Sequence, residues 1–129
     1  MMFQHHKIMA MPKRVVLLCV LLQFFNCEDI IEVEDISEET IVNLVPTDNT
    51  VIESSSINFS WQELEYRETY HVQITTPNFE AALQIVADTL ITSNNFSIVL
   101  PANSYEWQVK AKNFAYETQF STQSLTVEE

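Results

Sequence analysis

An all-β domain, an antiparallel sandwich of two sheets and about seven short strands, is what this sequence predicts. Three observations predict it. From residue 41 onward apolar side chains recur every second residue rather than every 3.6. Clusters of Asn, Asp, Pro and Ser interrupt that alternation at residues 46–49 (PTDN), 76–78 (TPN), 92–95 (TSNN) and 101–104 (PANS). A chain of 129 residues has room for one such domain.

The strands follow in chain order. Residues 41–45 (IVNLV) are a first, weaker candidate. In SINFSW, Ile57, Phe59 and Trp61 alternate with Asn58 and Ser60; in TYHVQIT, Tyr70, Val72 and Ile74 alternate with His71 and Gln73. Residues 83–87 (LQIVA) and 95–100 (NFSIVL) supply a fourth and fifth. The sixth, YEWQVKAKN, alternates Tyr105, Trp107, Val109 and Ala111 with Glu106, Gln108, Lys110 and Lys112, and residues 119–127 close the series. Each reads as a half-buried strand with one face in the core. NFEAALQIVA, residues 78–87, also has the Ala, Glu and Leu content of a short helix. Glycine is absent, so the left-handed turn positions fall to Asn. Its absence also excludes glycine-rich phosphate cradles and dinucleotide fingerprints, and no cofactor is expected.

The first forty residues have a different character. Lys13 and Arg14 precede an apolar run, residues 15–25, broken only by Gln23. That is the charge and length pattern of an export signal. Eleven helical residues reach about 16 Å, against a bilayer core near 30 Å, so a membrane-spanning helix is not expected. Cys27 ends the run, and residues 28–39 (EDIIEVEDISEE) carry seven acids. Repulsion at that density predicts an extended spacer. Beyond Cys27 three basic residues face eighteen acidic ones, a net charge of −15. Such a chain repels phosphate backbones, so nucleic acid is not an expected partner.

A basic stretch, a short apolar run and a Cys opening a polar chain resemble a bacterial lipoprotein signal. Phe24, Phe25 and Asn26 depart from the usual small residues before the Cys, as the looser Bacteroidetes-type signals do. The resemblance implies a signal peptide at 1–26, lipidation of Cys27 and an acidic tether at 27–40. It also implies a lipid-anchored place in the outer membrane, with Glu28 and Asp29 favouring the cell surface. More than one acyl chain is needed for stable anchoring, and the implied triacylated terminus has that.

Residues 41–129 resemble a fibronectin type III domain, an immunoglobulin-like sandwich. The resemblance rests on Trp61 closing the second strand, Tyr70 opening the third, and LPANSYEWQVKAKN with Leu100, Pro101, Tyr105, Val109, Ala111 and Asn113. It implies that Trp61 is the core indole and that the Tyr105 hydroxyl bonds back to the preceding loop. Trp107 departs from it, standing where an aliphatic residue is more usual.

Candidate chemistry is sparse. His71 is the only histidine beyond Cys27, and the alternation turns it to solvent. A hydrolytic triad, a zinc site and a calcium loop each lack their ligands or spacing. Glu63, Glu65 and Glu68 are near neighbours with no cleft to raise one pKa, so glycosidase chemistry is not expected. The chain reads as no enzyme. Binding is the better reading: by the resemblance, the loops after the second and sixth strands share one pole, which gathers Tyr66, Arg67, Phe114 and Tyr116. Such side chains anchor recognition surfaces, here for a polysaccharide or a protein partner. The rarity of exposed apolar patches favours Tyr66 and Tyr116 folding down over the sandwich end, with Phe114 alone exposed. DTL, residues 88–90, resembles a short O-glycosylation motif with Thr89 as acceptor, and NFS at Asn58 and Asn95 reads as chance.

The expected function is a non-enzymatic envelope lipoprotein that presents a binding or spacer sandwich. The alternatives are a structural accessory subunit of an envelope complex or polysaccharide-uptake system, and a secreted soluble sandwich.

Overall fold

The computed structural model describes residues 32–129. Among them are seven strands: β1 Thr50–Ile52, β2 Ser56–Ser60, β3 Thr69–Thr76, β4 Gln84–Ile91, β5 Asn95–Val99, β6 Asn103–Lys112 and β7 Ser121–Val127. One sheet has the order β1-β7-β6-β3-β4, and β2 pairs with β5 in the other. All pairs are antiparallel except β1 with β7. The expected all-β sandwich is what forms.

Alternation decides which side chains go inside. Tyr70, Val72 and Ile74 on β3 lie opposite Ala111, Val109 and Trp107 on β6, and all six are buried. His71 and Gln73 point to the outer face. Phe59 from the second sheet meets Trp107 edge-on, with centroids 4.8 Å apart, and Trp61 meets Tyr70 at 5.3 Å. Edge-to-face pairs add about 0.5–1.5 kcal/mol to the area they bury. Neither the Trp61 nor the Trp107 indole N–H has a protein acceptor, so ring volume explains their placement. Trp107 fills the space between the sheets that an aliphatic side chain would leave open.

The Tyr105 hydroxyl donates to the Pro101 carbonyl at 2.6 Å and ties the start of β6 to the preceding loop. Burial pushes the Tyr105 phenol above its ordinary pKa. Asn43 (φ 56°) and Asn49 (φ 61°) occupy left-handed turn positions, as a chain without glycine requires.

Three expectations are corrected. Residues 41–45 form no strand: Ile41 and Leu44 are buried, but only Val45 bridges, exchanging two 2.8 Å backbone bonds with Ser60. The first strand is β1, whose three residues are too few for alternation to register. No helix forms in residues 78–87: Asn78 Oδ1 accepts the Ala81 N–H at 2.7 Å and caps a single turn, which β4 cuts short from Gln84 onward.

The third correction concerns the acidic segment. The packed unit begins at Val33, and Ile36 lies in the core at 2% exposure. Asp35 Oδ1 accepts the Ser37 N–H at 2.9 Å and its hydroxyl, and the Glu39 N–H donates to the Ile36 carbonyl at 3.0 Å. The resulting turn directs one apolar side chain inward while Glu34, Asp35, Glu38 and Glu39 stay exposed. Residues 33–40 are therefore part of the domain rather than an extended spacer. The expected signal at 1–26 and Cys27 lie outside the described residues.

Candidate functional site

The pole gathers three segments: residues 33–40, the β2–β3 loop and the β6–β7 loop. The Asn113 side chain joins them. Its Nδ2 donates to the Glu34 carbonyl at 2.8 Å and to the Tyr66 carbonyl at 3.1 Å. Its Oδ1 accepts the N–H groups of Ala115 at 3.1 Å and Tyr116 at 2.9 Å. One half-buried amide thus uses both donor hydrogens and both acceptor lone pairs. Below it, the Ala111 N–H donates to the buried Thr118 hydroxyl at 3.0 Å, and the Thr118 N–H returns to the Ala111 carbonyl at 3.0 Å.

This frame leaves aromatic side chains outside. Tyr66 is 64% exposed, Phe114 84% and Tyr116 38%. Tyr66 does not fold down over the end, as the sequence had favoured, because its backbone is left-handed at φ 63°. That conformation is an outlier for a bulky residue and costs on the order of 1–3 kcal/mol. Asn113, bonded to the Tyr66 carbonyl, helps hold it.

Arg67 has a different role. Its guanidinium lies 5.1 Å from the centre of the Tyr70 ring and 3.4 Å from Glu63 Oε1. Tyr70 in turn accepts the Leu64 N–H at 3.0 Å. Arg67 braces the loop from beneath, and the exposed aromatic surface of the pole consists of the other three candidates. Beside them runs an open groove of about 430 Å³, lined by Ile36, Leu64, Tyr66, Gln62 and the carboxylates of Glu34, Asp35, Glu39, Glu63 and Glu65. Hydrogen bonds from the Ser37 hydroxyl and N–H hold Asp35 below the usual carboxylate pKa. The groove is negative at neutral pH and repels anionic ligands.

The remaining candidates lie elsewhere. Thr89 is half-buried in mid-β4, on the face it shares with Ala87 and Ile91, which pack against the core. His71 is half-buried on the outer face and shares a 2.5 Å hydrogen bond with Asp88 across the β3–β4 pair. This bond lowers the Asp88 pKa. The His71 ring sits 5.6 Å from Phe120, over which Lys110 Nζ lies at 4.5 Å while pairing with Glu117 at 3.2 Å. Gln73, Gln108 and Thr122 continue the ladder at 2.7 and 3.1 Å. Cross-strand neighbourhood accounts for the contacts among His71, Asp88, Gln73, Gln108 and Thr122, and the β6–β7 loop adds Glu117 and Phe120. Among the described residues no group of three His, Cys, Asp or Glu side chains is arranged to hold a metal ion.

Asn113 and Ile36 are the site residues that sequence reasoning missed. The Asp-x-Ser spacing at Asp35 and Ser37 is a turn signal that would have placed Ile36.

No protein-family profile matches the chain, and no curated protein matches it in sequence. Solved structures do match in shape. A computationally redesigned β-sandwich protein superposes with a TM-score of 0.54 at 16% identity, covering 70% of this chain and 96% of its own. The fibronectin type III domain of the human collagen α-1(XX) chain gives 0.53 at 9%, covering 72% and 90%. A fibronectin type III domain from the human KIAA0970 protein gives 0.51 at 16%, covering 68% and 72%. The fold is therefore a fibronectin type III-like β-sandwich.

Proposed function

We propose that this chain is a non-enzymatic envelope lipoprotein whose sandwich is displayed at the outer membrane, probing its surroundings with the Tyr66/Phe114/Tyr116 pole. One observation carries the binding reading: three aromatic side chains are held outward by a fully engaged Asn113, one of them on a strained left-handed backbone. Packing alone gives no reason to hold Tyr66 there. The flanking carboxylates exclude anionic ligands, which leaves a neutral polysaccharide or a protein with a neutral or basic contact patch. The anchor reading rests on Cys27 and the apolar run before it.

The two parts are tested separately. Fatty-acid labelling in a host that processes lipoproteins is expected to mark the wild type and not Cys27→Ala; label on both, or on neither, sinks the anchor. For the pole, retention on neutral polysaccharides and capture of envelope proteins are compared between wild type and Phe114→Ser/Tyr116→Ser. Loss of binding at unchanged stability supports the site. Loss of stability with binding intact makes the aromatics a structural cap.

A further inference from the structure

We infer that residues 33–40 are a releasable strap on the pole: a pull on the chain ahead of Val33 draws Ile36 out of the core and takes away one wall of the groove before any strand yields. The role of this strap rests on the proposed anchor and the proposed binding pole, because the chain ahead of Val33 leads to Cys27 and the strap lines the groove.

Attachment along the chain is uneven. The strap belongs to neither sheet, and Ile36 is its one buried residue. The bonds of Ser37 to Asp35 and of Glu39 to Ile36 stay within it. Among the described residues a single hydrogen bond ties it to the rest, from Asn113 Nδ2 to the Glu34 carbonyl at 2.8 Å. Just beyond it the hold multiplies. Ile41 and Leu44 are buried, and the Ile41 carbonyl accepts the Ser121 hydroxyl at 2.8 Å. The Val42 carbonyl accepts the Gln62 N–H at 3.0 Å, Asn43 Nδ2 donates to Gln62 Oε1 at 2.6 Å, and Val45 exchanges two bonds with Ser60. Segments with few buried apolar contacts open well below the free energy of global unfolding, so the strap opens first and the opening stops at Ile41. Charge favours the opening: Glu34, Asp35 and Glu39 line the same groove as Glu63 and Glu65, while Arg67 pairs with Glu63.

Asn113 couples the strap to the pole. The amide nitrogen that holds the Glu34 carbonyl also holds the Tyr66 carbonyl at 3.1 Å, and its oxygen holds the Ala115 and Tyr116 N–H groups. Release of the strap removes one of these four bonds and lets water compete for the others. Tyr66, left-handed at φ 63°, then loses part of what keeps it there. The released residues 33–40 add about 28 Å of reach. A docked strap therefore gives a short reach and an assembled pole, and a drawn one gives a longer reach and a dismantled pole. Order-to-disorder change of a segment is an established form of switching.

The test uses the full chain, synthesised without processing enzymes and kept in mild detergent, stretched in an optical trap between tags at its two termini. The wild type is expected to lengthen first by one small reversible step of at most about 28 Å of contour, and to unfold globally only at higher force. Ile36→Ser is expected to abolish the step, which it would not do if the step were the apolar run leaving detergent. The same variant is expected to speed amide exchange at Ala115 and Tyr116 at least tenfold while β3 and β6 stay protected. Should Ile36→Ser fail to fold, Ile36→Val is expected to keep the step and lower its force, and an unchanged force overturns the inference. A single global event in the wild type, or a small step that survives Ile36→Ser, overturns it as well. Unchanged exchange at Ala115 and Tyr116 once the step is lost overturns the coupling to the pole. No lipid or ligand enters these readouts, so they separate failure of the strap from failure of the anchor or of pole binding.

Discussion

The pole and the β4 edge both expose apolar side chains, by opposite means. At the pole every backbone segment is tied down: Asn113 bridges three of them, Thr118 closes the loop beneath, and Glu68 N–H reaches the Lys112 carbonyl at 2.8 Å. Carboxylates surround the exposed rings. At the edge the backbone itself is unpaired on one side, and charge is nearly absent. The pole is thus built to present side chains from a rigid frame, and the edge to offer main chain.

Mutations that dismantle one region and spare the other sharpen this comparison. Ile36→Asp is expected to have the largest effect, lowering stability by about 3 kcal/mol or more, since it buries a carboxylate without a partner. A urea midpoint unchanged from wild type would mean that residues 33–40 do not pack on the domain. Asn113→Ala comes next, at about 2 kcal/mol: it removes four hydrogen bonds worth roughly 0.5–1.5 kcal/mol each when fully buried, and this amide is only half-buried. Faster amide exchange at Ala115 and Tyr116, with β4 unaffected, is the accompanying signature.

Tyr66→Gly reverses the sign. Glycine relieves the left-handed backbone but loosens the unfolded chain, so a net gain of about 1 kcal/mol is expected, with pole binding lost. A loss of stability would show that the Tyr66 ring packs more than its exposure indicates. Ile85→Glu and Leu90→Glu, on exposed positions, are expected to change stability within about 0.5 kcal/mol, read from the urea midpoint.

The smallest expected effect is electrostatic. His71→Gln removes the main cause of the lowered Asp88 pKa, so a carbon-detected NMR titration of Asp88 is expected to move up toward the ordinary carboxylate value. Because the folded pKa is depressed, the stabilisation is present above the unfolded carboxylate pKa near 4 and is lost as pH falls through the folded value. Asp88 is half exposed, so this acid-side loss is small.

How legible these regions were in the sequence follows from the range of the forces involved. β2, β3 and β6 showed themselves because alternation is local and each has a strongly apolar inner face. The Tyr105 bond to Pro101 was foreseeable, since its partners are four residues apart. β1 was not, because its three residues pair with β7, far along the chain. Tyr66, Phe114 and Tyr116 could be named as candidates, but their exposure could not be, because it depends on an amide nearly fifty residues from Tyr66.

By itself the sequence determined that this chain alternates, turns on Asn rather than Gly, and concentrates its charge away from residues 81–105. Those are properties of neighbours in the chain, where sterics and desolvation act within a few residues. Only the tertiary structure decided that Ile36 leaves the acidic stretch for the core, that Asn113 gathers the pole, and that the short β1 and the long β4 are the two edges of the five-stranded sheet. Each depends on contacts between distant segments, which exist only once the two sheets have closed on Trp107.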